Sequence, residues 1–294
     1  MYSISMNEKV TLGQTMPIGA LCILCHDADE VLPFYRDILG FEPRRAEESF
    51  YHFAKRGAAA SLCLWEIDHI ARHTVFQAHP ETAIPNKFIL SLSLPSTSAV
   101  EALHGKLTNE NVRLLQEPEV GEDGFGFHFI DPCAVIWEVR VAEAAAQAND
   151  TLALDRITLL CRDLTATKFF YEDKLSFPAV AVAAGRVTYP AVAGTALSLW
   201  QVAAASAGLC LADLPAQQAQ WSAKTAMLAY PFDEIAEVEA LYDDLSRAGV
   251  RFDEAPAHFD WDFKAAYFCD PENNIWELFE TPSNIEQRML PKVG

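Results

Sequence analysis

Two glutamates stand at matching places in two similar segments of the chain. Glu138 lies in DPCAVIWEV and Glu277 lies in DPENNIWEL, 139 residues further on. A carboxylate among apolar groups binds a cationic or hydroxylated ligand strongly, because the local dielectric is low. The alternative is a structural carboxylate that is hydrogen-bonded to a neighbour or to water. Both glutamates are therefore candidate ligand-binding residues.

Histidines are the second group of residues with the chemistry of a site. His69 and His73 have the i, i+4 spacing of a helical metal pair and His79 follows, although a solvated connector explains this cluster as well. His128 alternates with phenylalanines in GFGFHFIDP, and His52 lies in SFYHFAK. Sequence parity leaves open which face of its strand His128 occupies.

Seven cysteines are spread thinly through the chain, and their number is odd. Cys22 and Cys25 form a C-x-x-C pattern within the apolar run ALCILCHD. Two side chains at this spacing point to opposite faces of a strand, which argues against a redox or zinc pair. We expect reduced, mostly buried thiols in a cytoplasmic protein.

An internal repeat defines the elements that must position these residues. Residues 22–41 match residues 158–177, so that Cys25, Asp27 and Tyr35 have counterparts 136 residues later. LCLWEI likewise matches LSLWQV, and DPCAVIWEV matches DPENNIWEL. Three ordered matches at nearly constant offset indicate a tandem duplication with its boundary at 143–151.

Each half subdivides into two units with the order strand, helix and three strands. Asp27 is predicted to cap a helix that ends near Leu39, and further helices are predicted over 98–107 and 234–248. The connectors 68–86 and 203–222 separate the units. The predicted strands of the first half cover residues 18–25, 50–54, 60–67, 87–94, 112–116, 126–130 and 134–141.

The repeated motifs carry a family resemblance. FYRDILGF followed by FIDPCAVIWEV, and FFYEDKLSF followed by YFCDPENNIWELFETP, resemble the vicinal oxygen chelate superfamily. This superfamily contains glyoxalase I, extradiol ring-cleaving dioxygenases, fosfomycin-modifying enzymes and bleomycin-binding resistance proteins. The resemblance implies an α+β fold in which four βαβββ units pair into two curved mixed sheets that form clefts. It predicts an N-terminal domain over 16–142, with units at about 16–70 and 86–142, and a C-terminal domain over 152–282, with units at about 152–202 and 223–282.

The resemblance also implies positions for metal ligands, and few of them hold suitable donors. Glu138 and Glu277 match the family's metal-ligating glutamate, whereas Cys63 and Ser198 stand at the equivalent places of the other two units. The first-strand ligand positions fall near Ala20, Ile89, Arg156 and Met227. Arg156 cannot ligate a metal, because a guanidinium has no lone pair to offer.

We therefore expect no cofactor and no complete metal site. A divalent ion, if one binds, is expected at Glu138 or Glu277, with His128 or His52 as a further ligand. An ion pair between Arg156 and Glu277 is a further expectation for the second half.

The expected ligand-binding set combines these positions with aromatic side chains. Trp residues recur beside both glutamates, and a further aromatic cluster lies in HFDWDFKAAYF. The candidates are Glu138, Glu277, Arg156, Cys63, Ser198 and Trp261.

Two short motifs are interpreted as structural. The Asp-Pro of DPCAV and DPENN predicts a turn, in which Asn273 or Asn274 suits a position of positive φ. Ala134 departs from this pattern in the first half. Tyr35 and Tyr171 are expected to face the core, with a hydroxyl that contacts water.

Composition excludes several classes of function. The 294 residues carry a formal charge of −19, which disfavours nucleic-acid binding and mildly favours a cationic ligand. No apolar run approaches the ~20 residues of a membrane span. The start of the sequence does not have the pattern of a secretory signal.

These observations leave two functional hypotheses. The first is a metal-free protein, similar to the bleomycin-binding resistance proteins, that sequesters or senses an aromatic or cationic small molecule. The second is a divergent metal enzyme, either a glyoxalase-type lyase or isomerase or an extradiol-type dioxygenase. One chain is sufficient to build both clefts, although a homodimer remains open, as does the pairing of units within or between halves.

Overall fold

The structure is a computed structural model that describes residues 11–47, 49–53, 59–73, 87–121, 123–142, 153–209, 226–258 and 264–281. His79 and Trp261, two residues of interest in the sequence, lie outside the described residues. The greater part of both connectors lies outside them as well.

Strands account for most of the regular structure. They are β1 (Ala20–Cys25), β2 (Pro43–Glu47), β3 (Phe50–Phe53), β4 (Ser61–Glu66), β5 (Phe88–Leu94), β6 (Arg113–Leu114), β7 (Glu119–Gly121), β8 (Gly124–Ile130), β9 (Ile136–Val141), β10 (Ala153–Cys161), β11 (Arg186–Tyr189), β12 (Ala196–Gln201), β13 (Ala226–Phe232), β14 (Ala257–His258), β15 (Lys264–Cys269) and β16 (Ile275–Glu280).

The first helix precedes the first strand, and the other helices follow the first strand of a unit or lead out of its last strand. In chain order, the helices are α1 (Leu12–Thr15), α2 (Ala28–Pro33), α3 (Ile67–His73), α4 (Thr97–Asn109), α5 (Leu164–Phe169), α6 (Val202–Gly208) and α7 (Ile235–Arg247). Helices α2 and α5 continue directly into π-helical turns over Phe34–Ile38 and Phe170–Lys174. Within the described residues, none of the helices is long and apolar enough to cross a membrane.

The predicted helices are confirmed, and their ends have identifiable causes. The Asp27 side chain accepts a hydrogen bond from the Glu30 amide and so caps α2, and Gly40, with a φ of 74°, ends that helical segment. Helix α7 begins with a capping box formed by Glu234 and Glu237.

Several details differ from the sequence prediction. Strand β2 was not predicted, because its charged residues in PRRAE carry little apolar signal. Helix α3 occupies the start of the first connector and α6 covers most of the described start of the second, so neither segment is purely a link.

The strands form two eight-stranded mixed sheets, and this confirms the predicted α+β class. The first sheet has the order β14-β15-β16-β13-β1-β4-β3-β2. The second has the order β11-β12-β10-β5-β9-β8-β6, with β7 paired to β8. The described strands of each sheet form an open row that does not close into a barrel.

The sheets combine units from different halves of the chain. Strand β1 of the first unit pairs antiparallel with β13 of the fourth, and β5 of the second unit pairs antiparallel with β10 of the third. The first sheet therefore joins the first and last units, and the second sheet joins the two central units. The sequence left this choice open.

Each sheet has one face in the main core and one face apart from it, because side chains alternate along a strand. Trp137 and Trp276 are fully buried in the main core, where they stack on Phe129 and Phe268. We call the opposite face of the first sheet the first inner face; it includes Ala20, Cys22, Cys63, Trp65, Met227, Ala229, Tyr267 and Glu277. We call the opposite face of the second sheet the second inner face; it includes Ile89, Ser91, His128, Glu138, Arg156, Thr158, Ser198 and Trp200.

The two structural motifs of the sequence contact each other. The Tyr35 hydroxyl donates to Asp131 Oδ2 at 2.6 Å, and the Tyr171 hydroxyl donates to Asp270 Oδ2 at 2.8 Å. Each helix end is thereby joined to the Asp-Pro turn before the last strand of the following unit. The hydroxyl of each tyrosine is hence fully buried rather than exposed to water.

Candidate functional site

Glu277 is the acidic group of the first inner face, and it is held by one neighbouring strand. The hydroxyl of Tyr267 on β15 donates to Glu277 Oε1 at 2.6 Å, and both side chains are buried. Burial raises the pKa of Glu277 to about 7, although the hydrogen bond from Tyr267 opposes this shift. The carboxyl group therefore changes its charge near neutral pH.

The residues in register with Glu277 offer few metal donors. Ala229 on β13 pairs with Glu277, Ala20 on β1 pairs with Ala229, and Ser61 on β4 pairs with Ala20. The first-strand position of the fourth unit is thus Ala229, two residues beyond the predicted Met227. Two alanines stand where the fold would need ligands.

The C-x-x-C cysteines separate, as their spacing predicts, and each contacts a distant cysteine instead. Cys22 and Cys63 are register partners on the first inner face. The neighbouring Cys63 thiol and burial raise the pKa of the Cys22 thiol well above its ordinary value. Cys25 lies on the core side of the strand, where its thiol contacts Cys133.

Aromatic rings border the first inner face. The rings of Trp65 and Phe50 lie 5.3 Å apart in an edge-to-face arrangement, and the ring of His69 lies 6.0 Å from Trp65. His52 is the register partner of Cys63, so it belongs to the first sheet. Of the combinations that the sequence left open, His52 and Glu138 do not share a face, because Glu138 lies in the second sheet.

Glu138 on the second inner face is paired with an arginine. Arg156 Nη2 donates to Glu138 Oε2 at 2.7 Å, and the Ser91 hydroxyl donates to the same oxygen. Ser91 on β5 is the register partner of both residues, and it lies two residues beyond the predicted Ile89. Burial is the largest single effect and acts to raise the pKa of Glu138, but the opposing effects, led by the positive charge of Arg156 and including the hydrogen bond from Ser91, together outweigh it, so the pKa is lowered.

The partner of Arg156 corrects a sequence expectation. An ion pair with Glu277 was expected because both residues belong to the second half of the chain. Arg156 instead lies on β10, which pairs with β5 of the first half, while Glu277 lies in the other sheet. The pairing of units across the halves thus brings Arg156 to Glu138.

His128 lies on the second inner face beside Glu138. The two residues are cross-strand partners on β8 and β9, and His128 Nε2 lies 3.9 Å from Glu138 Oε1. Burial lowers the pKa of His128, although the charge of Glu138 opposes this effect. The imidazole is therefore neutral at pH 7, because its ordinary pKa is already below 7.

Asp123 and Arg186 extend this network across the face. Asp123 Oδ2 accepts hydrogen bonds from Arg156 Nη2 at 2.9 Å and from Arg186 Nη1 at 2.7 Å. The guanidinium of Arg186 lies over the Trp200 ring, 4.9 Å from its centroid. Ser198, a predicted site residue, forms a hydrogen bond with Thr188 at 2.9 Å.

Sequence reasoning missed Ser91, Asp123 and Arg186, and it placed Tyr267 only in an aromatic cluster, without its pairing to Glu277. Tyr267 had a usable signal, since the Asp-Pro turn fixes the register of β15 and β16 and makes it the partner of Glu277. Asp123 had no such signal, because it precedes β8 and contacts Arg156 and Arg186 on strands that do not pair with β8.

The donors present do not fit the divalent metal that the fold family implies. A guanidinium occupies the place beside Glu138. In the row of residues that contains Glu277, Tyr267 lies on one side, and Ala229, Ala20 and Ser61 lie on the other. Among the described residues, no group of three or more His, Cys, Asp or Glu side chains is arranged to hold a metal ion.

The fold and the repeated motifs define a class of protein built from paired βαβββ units, of which the third has two strands rather than three after its helix. The family model of the Glyoxalase/Bleomycin resistance protein/Dioxygenase superfamily matches residues 17–139 and 153–278. The chain therefore belongs to this superfamily, as the motifs predicted.

Solved structures of similar fold come from bacteria and plants. A putative dioxygenase from Bacillus subtilis is similar with a TM-score of 0.64 and 15% identity, covering 91% of this chain and 86% of that chain. Glyoxalase I from Zea mays is similar with a TM-score of 0.61 and 13% identity, covering 94% of this chain and 95% of that one. At these identities the likeness shows the fold alone. A search of curated proteins finds no match.

Proposed function

We propose that this protein binds a small organic molecule without a catalytic metal and that it sequesters or senses an aromatic, cationic ligand on its first inner face. One observation carries the proposal. In both sheets the carboxylate at the superfamily's metal-ligating position is engaged by a protein donor, Arg156 for Glu138 and Tyr267 for Glu277.

The first inner face has the chemistry that an aromatic cation requires. Glu277 is a buried carboxyl group whose ionised form is disfavoured by burial, and a bound cation would stabilise that form. The rings of Trp65 and Phe50 supply apolar and π surface on the same face. The second inner face suits a cation poorly, because it already carries Arg156 and Arg186.

The test compares two probes of nearly equal shape and different charge. We expect N-methylacridinium to raise the Tm of the purified protein more than neutral acridine does, at pH 7.5. Glu277→Gln should weaken N-methylacridinium binding by at least about tenfold, which corresponds to 1.4 kcal/mol, and leave acridine binding nearly unchanged. Exposed Glu101 provides the matched control Glu101→Gln, which should keep the preference. A preference for the cation that persists in Glu277→Gln would contradict the proposal.

A second candidate function is the divergent metal enzyme, and one observation favours it. His128 Nε2 lies 3.9 Å from Glu138 Oε1, so a histidine and a carboxylate share one face. Metal analysis of the purified protein separates the two candidates. A stoichiometric divalent ion whose removal abolishes ligand binding would favour the enzyme, whereas probe binding that persists after chelation supports the metal-free protein.

A further inference from the structure

Asp123 joins two arginines that come from other strands of the second sheet. It precedes β8, whereas Arg156 lies on β10 and Arg186 on β11, and neither of these strands is a neighbour of β8. Its carboxylate receives Arg156 Nη2 at 2.9 Å and Arg186 Nη1 at 2.7 Å. One carboxylate therefore lies across the second inner face, between two guanidinium groups.

The side-chain exposures place Asp123 on the solvent side of the second inner face and the two arginines beneath it. The side chain of Asp123 is 34% exposed, compared with 16% for Arg186 and 9% for Arg156. Glu138 neutralises Arg156 from below, and Asp123 is the carboxylate that contacts Arg186 among the described residues. Displacing Asp123 would therefore leave a net positive charge that is accessible from solvent.

Several donors on this face have no hydrogen-bond partner within the described part of the chain. They are Thr158 Oγ1, His128 Nδ1, Arg156 Nε and Arg186 Nε. Thr158 is fully buried and is the register partner of Ser198, in the row of residues between those of Arg156 and Arg186. Asp123 is attached to the β7–β8 hairpin, and its carboxylate does not reach these donors. A separate ligand is not attached to the chain, so it can be placed to accept hydrogen bonds from them.

Apolar groups adjoin the charged ones. The guanidinium of Arg186 packs on the face of the Trp200 ring, and Leu160 is the register partner of Trp200. Ala205 of α6 packs in the same cluster as Leu160 and Ile89. This surface suits the carbon skeleton of an organic anion better than an inorganic ion.

We propose that the second inner face is a binding site for a small organic carboxylate and that Asp123 holds the place of the ligand's carboxylate in this structure. The ligand's carboxylate would pair with Arg156 and Arg186, and its apolar part would lie against Trp200 and Leu160. The site goes beyond the proposed function, because it is on the other sheet and takes a ligand of opposite charge.

The test uses 4-fluorobenzoate as the probe, with 4-fluorobenzamide as its neutral counterpart. Asp123→Asn removes the competing charge and retains the side-chain shape, so it should bind 4-fluorobenzoate at least about tenfold more tightly than wild type in calorimetric titration. Asp173→Asn removes one exposed carboxylate elsewhere and should bind as wild type does. Equal affinities of Asp123→Asn and wild type would overturn the proposal.

A second measurement does not depend on the folding of Asp123→Asn. In ¹⁹F NMR of 4-fluorobenzoate with the wild-type protein, we expect line broadening that excess benzoate reverses and that Arg186→Gln abolishes. Broadening that is unchanged in Arg186→Gln, or equal for 4-fluorobenzamide, would contradict the site. Binding of N-methylacridinium should be the same in wild type and Asp123→Asn, so this test and the test of the first inner face fail independently.

Discussion

At the scale of single residues, two glutamates in the same motif have opposite electrostatic environments. Glu138 is ionised because the guanidinium of Arg156, together with its other polar neighbours, overcomes the effect of burial on its pKa. Glu277 has a tyrosine hydroxyl as its partner, and burial raises its pKa to about 7. The identity of one neighbour therefore decides the charge at an equivalent position of the fold.

Glu277 gives the stability of the protein a pH dependence of known sign. Its folded pKa of about 7 lies above the ordinary value of 4.5, so its contribution to stability is complete below pH 4.5 and is lost as the pH rises through 7. In Glu277→Gln this loss is absent. We expect the unfolding free energy of the variant minus that of wild type to rise by about 3 kcal/mol between pH 4.5 and pH 8.

Urea unfolding at several pH values measures this difference. Glu101→Gln, at an exposed position, serves as the control and should show a flat difference over the same range. A flat difference for Glu277→Gln would show that Glu277 does not titrate near neutral pH.

Ala134 has a backbone conformation that is unfavourable for a residue with a side chain. Its φ is 59°, and the equivalent Asn273 has a φ of 67°. This left-handed region is costly for alanine and readily accessible to glycine. Ala134→Gly should therefore stabilise the protein by about 1 kcal/mol in urea unfolding. Ala240→Gly, at an exposed position within α7, should destabilise it by about 1 kcal/mol, and a loss of stability in both variants would refute the argument.

At the scale of elements, a buried hydrogen bond joins each early helix to a distant turn. Tyr171 lies in the π-helical turn after α5, and Asp270 begins the turn before β16. The Asp270 carboxylate also accepts hydrogen bonds from the Asn274 amide groups. These contacts explain why the FFYEDKLSF and DPENNIWEL motifs occur together.

Removing the hydroxyl of Tyr171 should lower the free energy of unfolding more than removing that of Tyr35 does. The indole of Trp276 donates to the Tyr171 hydroxyl, whereas the indole of Trp137 donates directly to Asp131 and keeps its acceptor. We expect Tyr171→Phe to destabilise by about 3 kcal/mol and Tyr35→Phe by about 1 kcal/mol in urea unfolding.

Tyr242→Phe is the control for this comparison, since Tyr242 lies on α7 with its ring against Phe252. It should change stability by less than about 0.5 kcal/mol. Equal losses for the Tyr35 and Tyr171 variants would show that the tryptophan contact contributes little.

At the scale of the whole molecule, each sheet depends on both halves of the chain. Strands β1 and β13 form the centre of the first sheet, and β5 and β10 form the centre of the second. A half of the chain alone would expose the central edges of two incomplete sheets, and unpaired strand edges favour association.

A cut between the halves tests this arrangement. We expect that a protease site inserted at residues 143–152 can be cleaved and that the two fragments remain together as a 1:1 complex in size-exclusion chromatography. The expected complex should unfold in one transition, because both sheets need both fragments. An insertion of equal length without the protease site is the control. Fragments that elute separately, each folded, would contradict the pairing of units across the halves.

Much of this fold could be predicted from the sequence. Helical spacing located α2, α4 and α7, and the repeat located four units, because these signals are local and period-dependent. The Asp-Pro turns were predicted with their positive φ position, since turn chemistry depends on a few adjacent residues. The motifs also predicted the superfamily, to which the chain belongs.

The site was less predictable, because it depends on contacts between distant residues. The sequence placed Glu138, Glu277, Cys63 and Ser198 on strands and excluded Arg156 as a metal ligand. It did not find Tyr267 as the partner of Glu277, nor the network of Asp123 and Arg186.

By itself, the sequence determined the duplicated units, the α+β class and the glutamate at the metal-ligating position of each half. Only the tertiary structure decided that the first unit pairs with the fourth and the second with the third. Strand edges carry unpaired backbone groups that any compatible edge can satisfy, so local sequence does not choose between partners. That choice brings Arg156 to Glu138 and leaves Glu277 with Tyr267, and thereby gives the two inner faces their different chemistry.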